Sequence, residues 1–351
     1  MRPGSLLSND RDPAIQWLRA LAAIEVMIWH SDLVTKGFSD FSVQTSNYAF
    51  FGGIGVEIFF IVSGYLMGLI AASGARPLAF ARSRATRIYP LYWIFTSLVL
   101  LAAWINPHWV LGGSFARSSI LASYLIWPPR GLPTLMVGWT LEFEILFYCL
   151  VGIVLFTRQE HGLRKLFPLI LATIGLIGAE LPKDGLENAL ASHLLSPYMF
   201  AFGFGWLIHG CFSSERPTPI GILVCFGALY LAALAASEEQ RAVVARIGIA
   251  CTIFTALLAT RPSQESAGRA SRALAYVGEA SYSLYLSHWF LLSILGKMFA
   301  GLGLPPSLDA PARILGCLAA VLFGVLVFTF VERPLDRRLR KPATAPRRST
   351  L

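Results

Sequence analysis

The chain returns again and again to apolar stretches long enough to cross a bilayer, and this recurrence limits the folds open to it. A transmembrane helix needs about 20 mostly apolar residues, because the hydrocarbon layer is about 30 Å thick and each helical residue rises 1.5 Å. Candidate stretches run approximately over Ala14–Val34, Phe51–Ala72, Ile88–Ile105, Val137–Phe156, Leu166–Leu181, His193–Cys211, Ile220–Ala236, Val243–Thr260, Tyr282–Ala300 and Ala312–Val331. Only 14% of the residues are charged and 55% are hydrophobic, against roughly 25% charged in soluble domains. The expected fold is an all-α, polytopic membrane bundle of about ten transmembrane helices. The stretch Arg117–Trp127 is half-length and reads as re-entrant or interfacial.

The net charge is +9. In a soluble protein that excess would suggest nucleic acid. Here the basic residues sit in short segments between apolar runs, which is the pattern of the positive-inside rule, and no nucleic-acid partner is expected. With the N-terminus inside, the inner segments hold Arg76, Arg82, Arg84, Arg87, Arg158, Arg164 and Lys165, then Arg261, Arg269 and Arg272. The outer loops carry fewer, such as Lys36, Arg130 and Lys183. Both termini are therefore expected in the cytoplasm, which requires an even number of crossings. Residues 1–13 read as a cytoplasmic N-terminal segment, 14–335 as the transmembrane domain, and 336–351 as a basic cytoplasmic tail suited to anionic lipid. The N-terminal segment is polar and gives no cleavable leader. The five cysteines, Cys149, Cys211, Cys225, Cys251 and Cys317, lie in or beside apolar runs without a CxxC pair, so packing thiols are expected and no metal. No internal repeat marks the two matching halves common in secondary transporters.

Ionisable residues inside spans are costly and are functional candidates by default. The first span offers Arg19, Glu25 and His30. Eleven residues at about 100° each return Arg19 and His30 to within about 20° of one face, roughly 16 Å apart along the axis. Glu57 near the outer start of the second span and Glu144 near that of the fourth fall at a depth close to His30. A carboxylate beside a histidine orients the ring and stabilises its charged form, so this grouping reads as a proton-handling site. The bland alternative is a hydrogen-bond network joining helices, and Glu25 and Glu142 are assigned to it. Arg84 and Arg87 share a face on a helix and can present two guanidinium forks to a phosphate. Read alone, they are an ordinary basic collar. His288 could bond a neighbouring helix. Glu332-Arg333-Pro334 reads as a surface ion pair with a proline stop. His108, His161, His193 and His209 receive no role.

Together these residues resemble the acyltransferase 3 family, integral membrane enzymes that O-acetylate surface and exported polysaccharides in bacteria. The resemblance runs from about Ile15 to Leu335. Arg19 and His30 match the family's Arg-x10-His. The run Gly55-Val56-Glu57 through Ser63-Gly64-Tyr65 matches its second-helix signature. Arg84-x-x-Arg87 matches its cytoplasmic basic element, and Trp139-Thr140-Leu141-x-x-Glu144-x-x-Phe147-Tyr148 another motif. Tyr282-Ser283-x-Tyr285-Leu286-x-His288 and Val331-Glu332-Arg333-Pro334 complete the series. The Gly-Trp-Thr-Leu form is most similar to the exopolysaccharide branch.

The resemblance implies a protein of the bacterial cytoplasmic (inner) membrane. It implies acetyl-CoA as donor, a glycan or lipid-linked glycan as acceptor, and glycan-synthesis proteins as possible partners. Arg84 and Arg87, with Arg19 behind them, would hold the donor's charged end. His30 would act as base or carry the acetyl group, with Glu57 or Glu144 orienting it. Ser63, Tyr65, Trp139, Tyr148, Tyr285 and His288 are further motif positions. Some relatives carry a fused outer esterase-like domain, and no such domain is expected here. A flippase of lipid-linked sugars is the rival from another class, and a membrane scaffold the third.

Overall fold

The computed structural model describes residues 12–46, 48–106, 109, 117–128, 131–157, 161–180, 189–212, 238–260 and 268–339, and these are helical with connecting turns. The helices are α1 (Pro13–Trp29), α2 (Asp32–Thr35), α3 (Ile54–Ala72), α4 (Pro77–Ile105), α5 (Arg117–Leu125), α6 (Trp139–Phe156) and α7 (His161–Glu180). They continue as α8 (Ala189–Leu194), α9 (Pro197–Phe212), α10 (Glu238–Thr260), α11 (Arg269–Glu279), α12 (Ser281–Gly301), α13 (Asp309–Val327) and α14 (Arg333–Leu339). Among the described residues, six helices are long and apolar enough to cross a membrane: Ala49–Ala72, Pro77–Ile105, Met136–Phe156, Gly162–Glu180, Gln240–Leu258 and Pro306–Leu339. The expected span Ile220–Ala236 and Cys225 lie outside the described residues.

Apolar surface is turned both inward and outward, as lipid permits. On α13 the small residues Ala312, Gly316, Ala320 and Gly324 recur every fourth position and are buried. Ile314, Leu318, Leu322 and Leu326 recur at the same spacing and are exposed. One face therefore meets α12 at close range and the other meets lipid, the arrangement expected where helices associate by van der Waals packing rather than by escape from water. A Cβ on Gly324 would lie 2.7 Å from the Cα of Leu284 on α12. The contact of α3 with α9 is tighter still. A Cβ on Gly64 would lie 2.1 Å from the carbonyl oxygen of Phe202.

Several boundaries differ from the sequence expectation for physical reasons. The first helix ends at Trp29 and leaves His30 as its C-cap, with a separate short helix from Asp32. Asp12 opens α1 by accepting from the Ala14 amide at 2.9 Å, with Pro13 next in line. The basic stretch before Ile88 is not a loop but the first turns of α4, which runs 29 residues through Pro90. At 1.5 Å per residue it is about 44 Å long, so its N-terminal turns extend past a hydrocarbon layer of about 30 Å. Pro334 does not stop the last helix. The π-turn Phe328–Glu332 widens the backbone just before it, and α14 continues as Arg333–Leu339. Arg117–Leu125 docks on α4. Tyr89 donates to the Leu125 carbonyl at 3.0 Å and Trp93 to the Tyr124 carbonyl at 2.8 Å, satisfying the helix's last acceptors.

The α12–α13 contact predicts an asymmetric mutational response. Gly324→Leu should lower the thermal midpoint in detergent by an amount corresponding to about 1–3 kcal/mol of overpacking. Leu318→Ala on the lipid-facing stripe should stay within about 0.5 kcal/mol of the parent. Equal effects of the two would contradict the assignment of faces.

Candidate active site

A cavity of about 100 Å³ lies where α1, α3, α4, α6 and α12 converge. Each helix contributes side chains at its own period. On α6, Thr140, Glu144 and Tyr148 are four apart and share one face. On α12, Ser281, Tyr282 and Tyr285 line the cavity, and Arg19 on α1, Ser63 on α3 and Arg84 and Arg87 on α4 complete its polar wall. Val56, Phe59, Leu66 and Met67 of α3 make much of the remainder apolar.

The polar groups are held by one another. Glu144 accepts from the Tyr148 hydroxyl and, at 3.4 Å, from Ser63 Oγ. The Arg84 guanidinium stands over the Tyr148 ring, 5.9 Å from its centre, while its buried Nε has no hydrogen-bond partner among the described residues. Arg19 is buried and reaches Gln16 Oε1 at 3.4 Å. Glu332 accepts from Ser283 Oγ at 2.5 Å and interacts electrostatically with Arg87 and Arg19. It therefore belongs to the wall behind this cluster rather than to a surface pair. Tyr282 donates to the Ile88 carbonyl at 2.6 Å, locking α12 to α4 beside Arg87. Asp336 of α14 also interacts electrostatically with Glu332, so cations and carboxylates alternate through this region.

Tyr285 marks the far wall. Its hydroxyl donates to the Val137 carbonyl at 2.8 Å and meets Thr140 Oγ1 at 2.8 Å. The ring of His288, one turn further along α12, is centred 5.9 Å from that of Tyr285. His288 is fully buried, and its Nε2 lies 3.0 Å from Nδ1 of His30. Trp289 packs edge-on to His30 with centres 5.0 Å apart. The backbone leaving His30 is fixed by Arg313, which bonds Ser31 Oγ at 3.1 Å, Asp32 Oδ1 at 2.5 Å, the Phe41 carbonyl at 2.7 Å and, through Nε, Asp309 at 2.8 Å.

The acyltransferase domain known as acyltransferase 3 matches residues 12–330, a range that takes in every side chain just described except Glu332 and Asp336. The chain belongs to the acyltransferase 3 family. As a member it is an O-acyltransferase built as an integral membrane protein. It is 30% identical over 315 residues to the exopolysaccharide production protein ExoZ of Rhizobium meliloti (strain 1021), covering 85% of this chain and 93% of ExoZ. It is 24% identical over 371 residues to the acyltransferase MdmB of Streptomyces mycarofaciens, covering 96% and 95% of the two chains. The putative acetyltransferase ORF330 of Acidianus two-tailed virus is 22% identical over 349 residues, covering 95% of this chain and 92% of that one. No solved structure matches the chain.

The fold of this acyltransferase sorts its motif residues into separate groups. Arg19, Arg84, Arg87, Ser63, Glu144, Tyr148 and Tyr285 meet around the cavity. His30 meets His288 instead of a glutamate. Sequence depth sets Glu57 beside His30, but Glu57 is bonded to Arg246 of α10 at 2.9 Å, and Glu25 accepts from the Gly55 amide at 2.9 Å close by. Glu144 turns to Tyr148 and Ser63 as above. Tyr65 packs against His209 and Phe254, and Trp139 against Phe143 and Tyr198. Glu142 pairs with His193 Nε2 at 3.0 Å, an interhelical bond of the structural kind expected for it. The sequence reading gives Arg246 and Arg313 no role, although each is an arginine inside an apolar run, the same signal that makes Arg19 a candidate.

Glu57 is fully buried, its Oε1 is held by Arg246, and its Oε2 has no hydrogen-bond partner among the described residues. Arg246→Leu should destabilise the protein by about 3–5 kcal/mol, and adding Glu57→Leu should recover part of that loss. Thermal unfolding in detergent reads both. A single variant as stable as the parent would contradict the pairing.

Proposed function

We propose that this acyltransferase moves an acetyl group from cytoplasmic acetyl-CoA to a hydroxyl of a surface or exported polysaccharide or its lipid-linked precursor. The observation that carries the reading is the convergence of Arg19, Arg84 and Arg87 on one cavity whose far wall, Tyr285, leads to His30. Guanidinium forks bind phosphate oxygens through charge-assisted pairs, and the phosphates of CoA are the donor's charged part. The apolar wall from α3 suits the acyl-bearing arm. The similarity to ExoZ, an exopolysaccharide production protein, supports the acceptor class. The chain is read as an inner-membrane protein of about ten crossings, with both termini and the N-terminal turns of α4 on the cytoplasmic side.

In the transfer, a nitrogen of His30 takes the proton of the acceptor hydroxyl as its oxygen attacks the thioester carbonyl. The carbon–sulfur bond breaks, the ester forms, and the departing thiolate takes the proton back from the imidazolium. One ester and one CoA thiol result. Glu144, Tyr148 and Ser63 shape the route between the donor's charged end and the reacting carbonyl.

His30→Ala should lower acetyl transfer by about 10²–10⁴-fold, the usual contribution of a general base, while the protein still inserts in the membrane. Release of CoA thiol and mass spectrometry of cell-surface glycans read this. Transfer retained at the parental rate would overturn the reading. Arg84→Ala combined with Arg87→Ala should raise the KM for acetyl-CoA roughly 10-fold or more, from the loss of charge-assisted hydrogen bonds. An unchanged KM would return the two arginines to an ordinary basic collar.

A further inference from the structure

The bond between His30 and His288 has a direction, and the direction follows from the third group in the chain. Nδ1 of His288 lies 3.1 Å from the carbonyl oxygen of Leu284, one turn earlier on α12. A carbonyl oxygen only accepts, so this Nδ1 carries a proton. Burying a charged ring without a counter-charge is far more costly than burying the neutral one, and His288 is fully buried. A neutral imidazole has one N–H, so Nε2 of His288 presents a lone pair. That lone pair faces Nδ1 of His30 at 3.0 Å. Two lone pairs form no hydrogen bond, so His30 donates from Nδ1. What remains on His30 is Nε2, which keeps its lone pair.

We propose that His288 is a positioning residue that holds His30 in the Nδ1–H tautomer and so makes Nε2 the atom that accepts the hydroxyl proton. The inference rests on the reading of His30 as the base. The arrangement follows the logic of a catalytic triad, in which a third group selects the tautomer of the working histidine, and the wrong tautomer there is nearly inactive. Here the selecting group is a neutral imidazole whose own orientation is set by the Leu284 carbonyl. When Nε2 of His30 takes the proton, the ring becomes an imidazolium and its Nδ1–H bond to His288 becomes charge-assisted, which strengthens it at the moment it is needed. Trp289, edge-on to the His30 ring, fixes the ring plane in which Nε2 is presented. This gives a reason for the spacing in Ser281-x-x-Leu284-Tyr285-x-x-His288. Ser281, Tyr285 and His288 share one helical face, and Leu284 stands four residues before His288 to receive its N–H.

The test is the tautomer itself. Protein labelled with ¹⁵N-histidine in lipid nanodiscs, with His30 assigned by loss of its signals in His30→Gln, gives the protonation of each ring nitrogen directly. In the parent, Nε2 of His30 is expected at the unprotonated, pyridine-type position. In His288→Leu the acceptor is gone, and His30 should shift to the Nε2–H form or a mixture. The kcat for CoA thiol release from acetyl-CoA, with native host membranes as acceptor source, should fall about 10²-fold or more with the KM for acetyl-CoA unchanged. His288→Gln keeps an acceptor oxygen and should restore part of the tautomer preference and part of kcat. It also serves if the leucine variant does not fold. A parent His30 protonated on Nε2, or a His30 tautomer unaltered by the substitutions, would overturn the proposal. The base assignment fails separately: transfer retained in His30→Ala removes it whatever the tautomer is.

Discussion

A guanidinium group among membrane-embedded helices costs several kcal/mol unless polar groups or anions meet it, and the arrangement of this protein follows from where it accepts that cost. Arg19, Arg84 and Arg87 are gathered from two helices onto one cavity, with Glu332 and Glu144 nearby and the Tyr148 ring beneath Arg84. The cations and carboxylates here form one connected electrostatic cluster at the cavity wall. The helices that hold it are tied by specific bonds, Tyr282 to Ile88 between α12 and α4 and Tyr285 to Val137 and Thr140 between α12 and α6. α4, which places Arg87 beside the start of α12, thus also sets where His288 stands less than two turns further along.

Two more arginines are used differently. Arg246 is consumed by buried Glu57, and Arg313 is enclosed by Asp32, Asp309, Ser31 and the Phe41 carbonyl. Both have carboxylate partners at hydrogen-bond distance, and both fix structure around the segments that flank His30 and Gly55. Arg19, Arg84 and Arg87 differ from them in lining an open volume.

Much of this was legible along each helix and little of it between helices. Counting residues at 1.5 Å each gives depth, so Arg19, Arg84 and Arg87 could be set at one level and His30 at another. The spacing of Thr140, Glu144 and Tyr148 gives a face. Neither count gives the rotation of one helix about its axis relative to its neighbours. For that reason Glu57 and Glu144 were expected beside His30, yet Glu57 faces α10 and Glu144 faces Tyr148 and Ser63, while the partner of His30 comes from α12. The end of α1 at Trp29, the continuation of α4 upstream of Ile88 and the π-turn before Pro334 were also hidden, because caps and backbone widening depend on a few contacts rather than on hydropathy.

The route proposed for the donor has two chemically distinct ends, the arginines of α1 and α4 and a histidine pair at the meeting of α1 and α12, with Tyr285 between them. The central claim is that a single donor molecule spans both ends. A cryo-electron-microscopy structure with a non-hydrolysable acetyl-CoA analogue in lipid nanodiscs tests it most directly. The account predicts the donor's phosphates at Arg84 and Arg87 and its acyl carbonyl beyond Tyr285, within contact of His30. Phosphates bound away from the arginine-lined cavity, or an acyl carbonyl remote from His30, would contradict it.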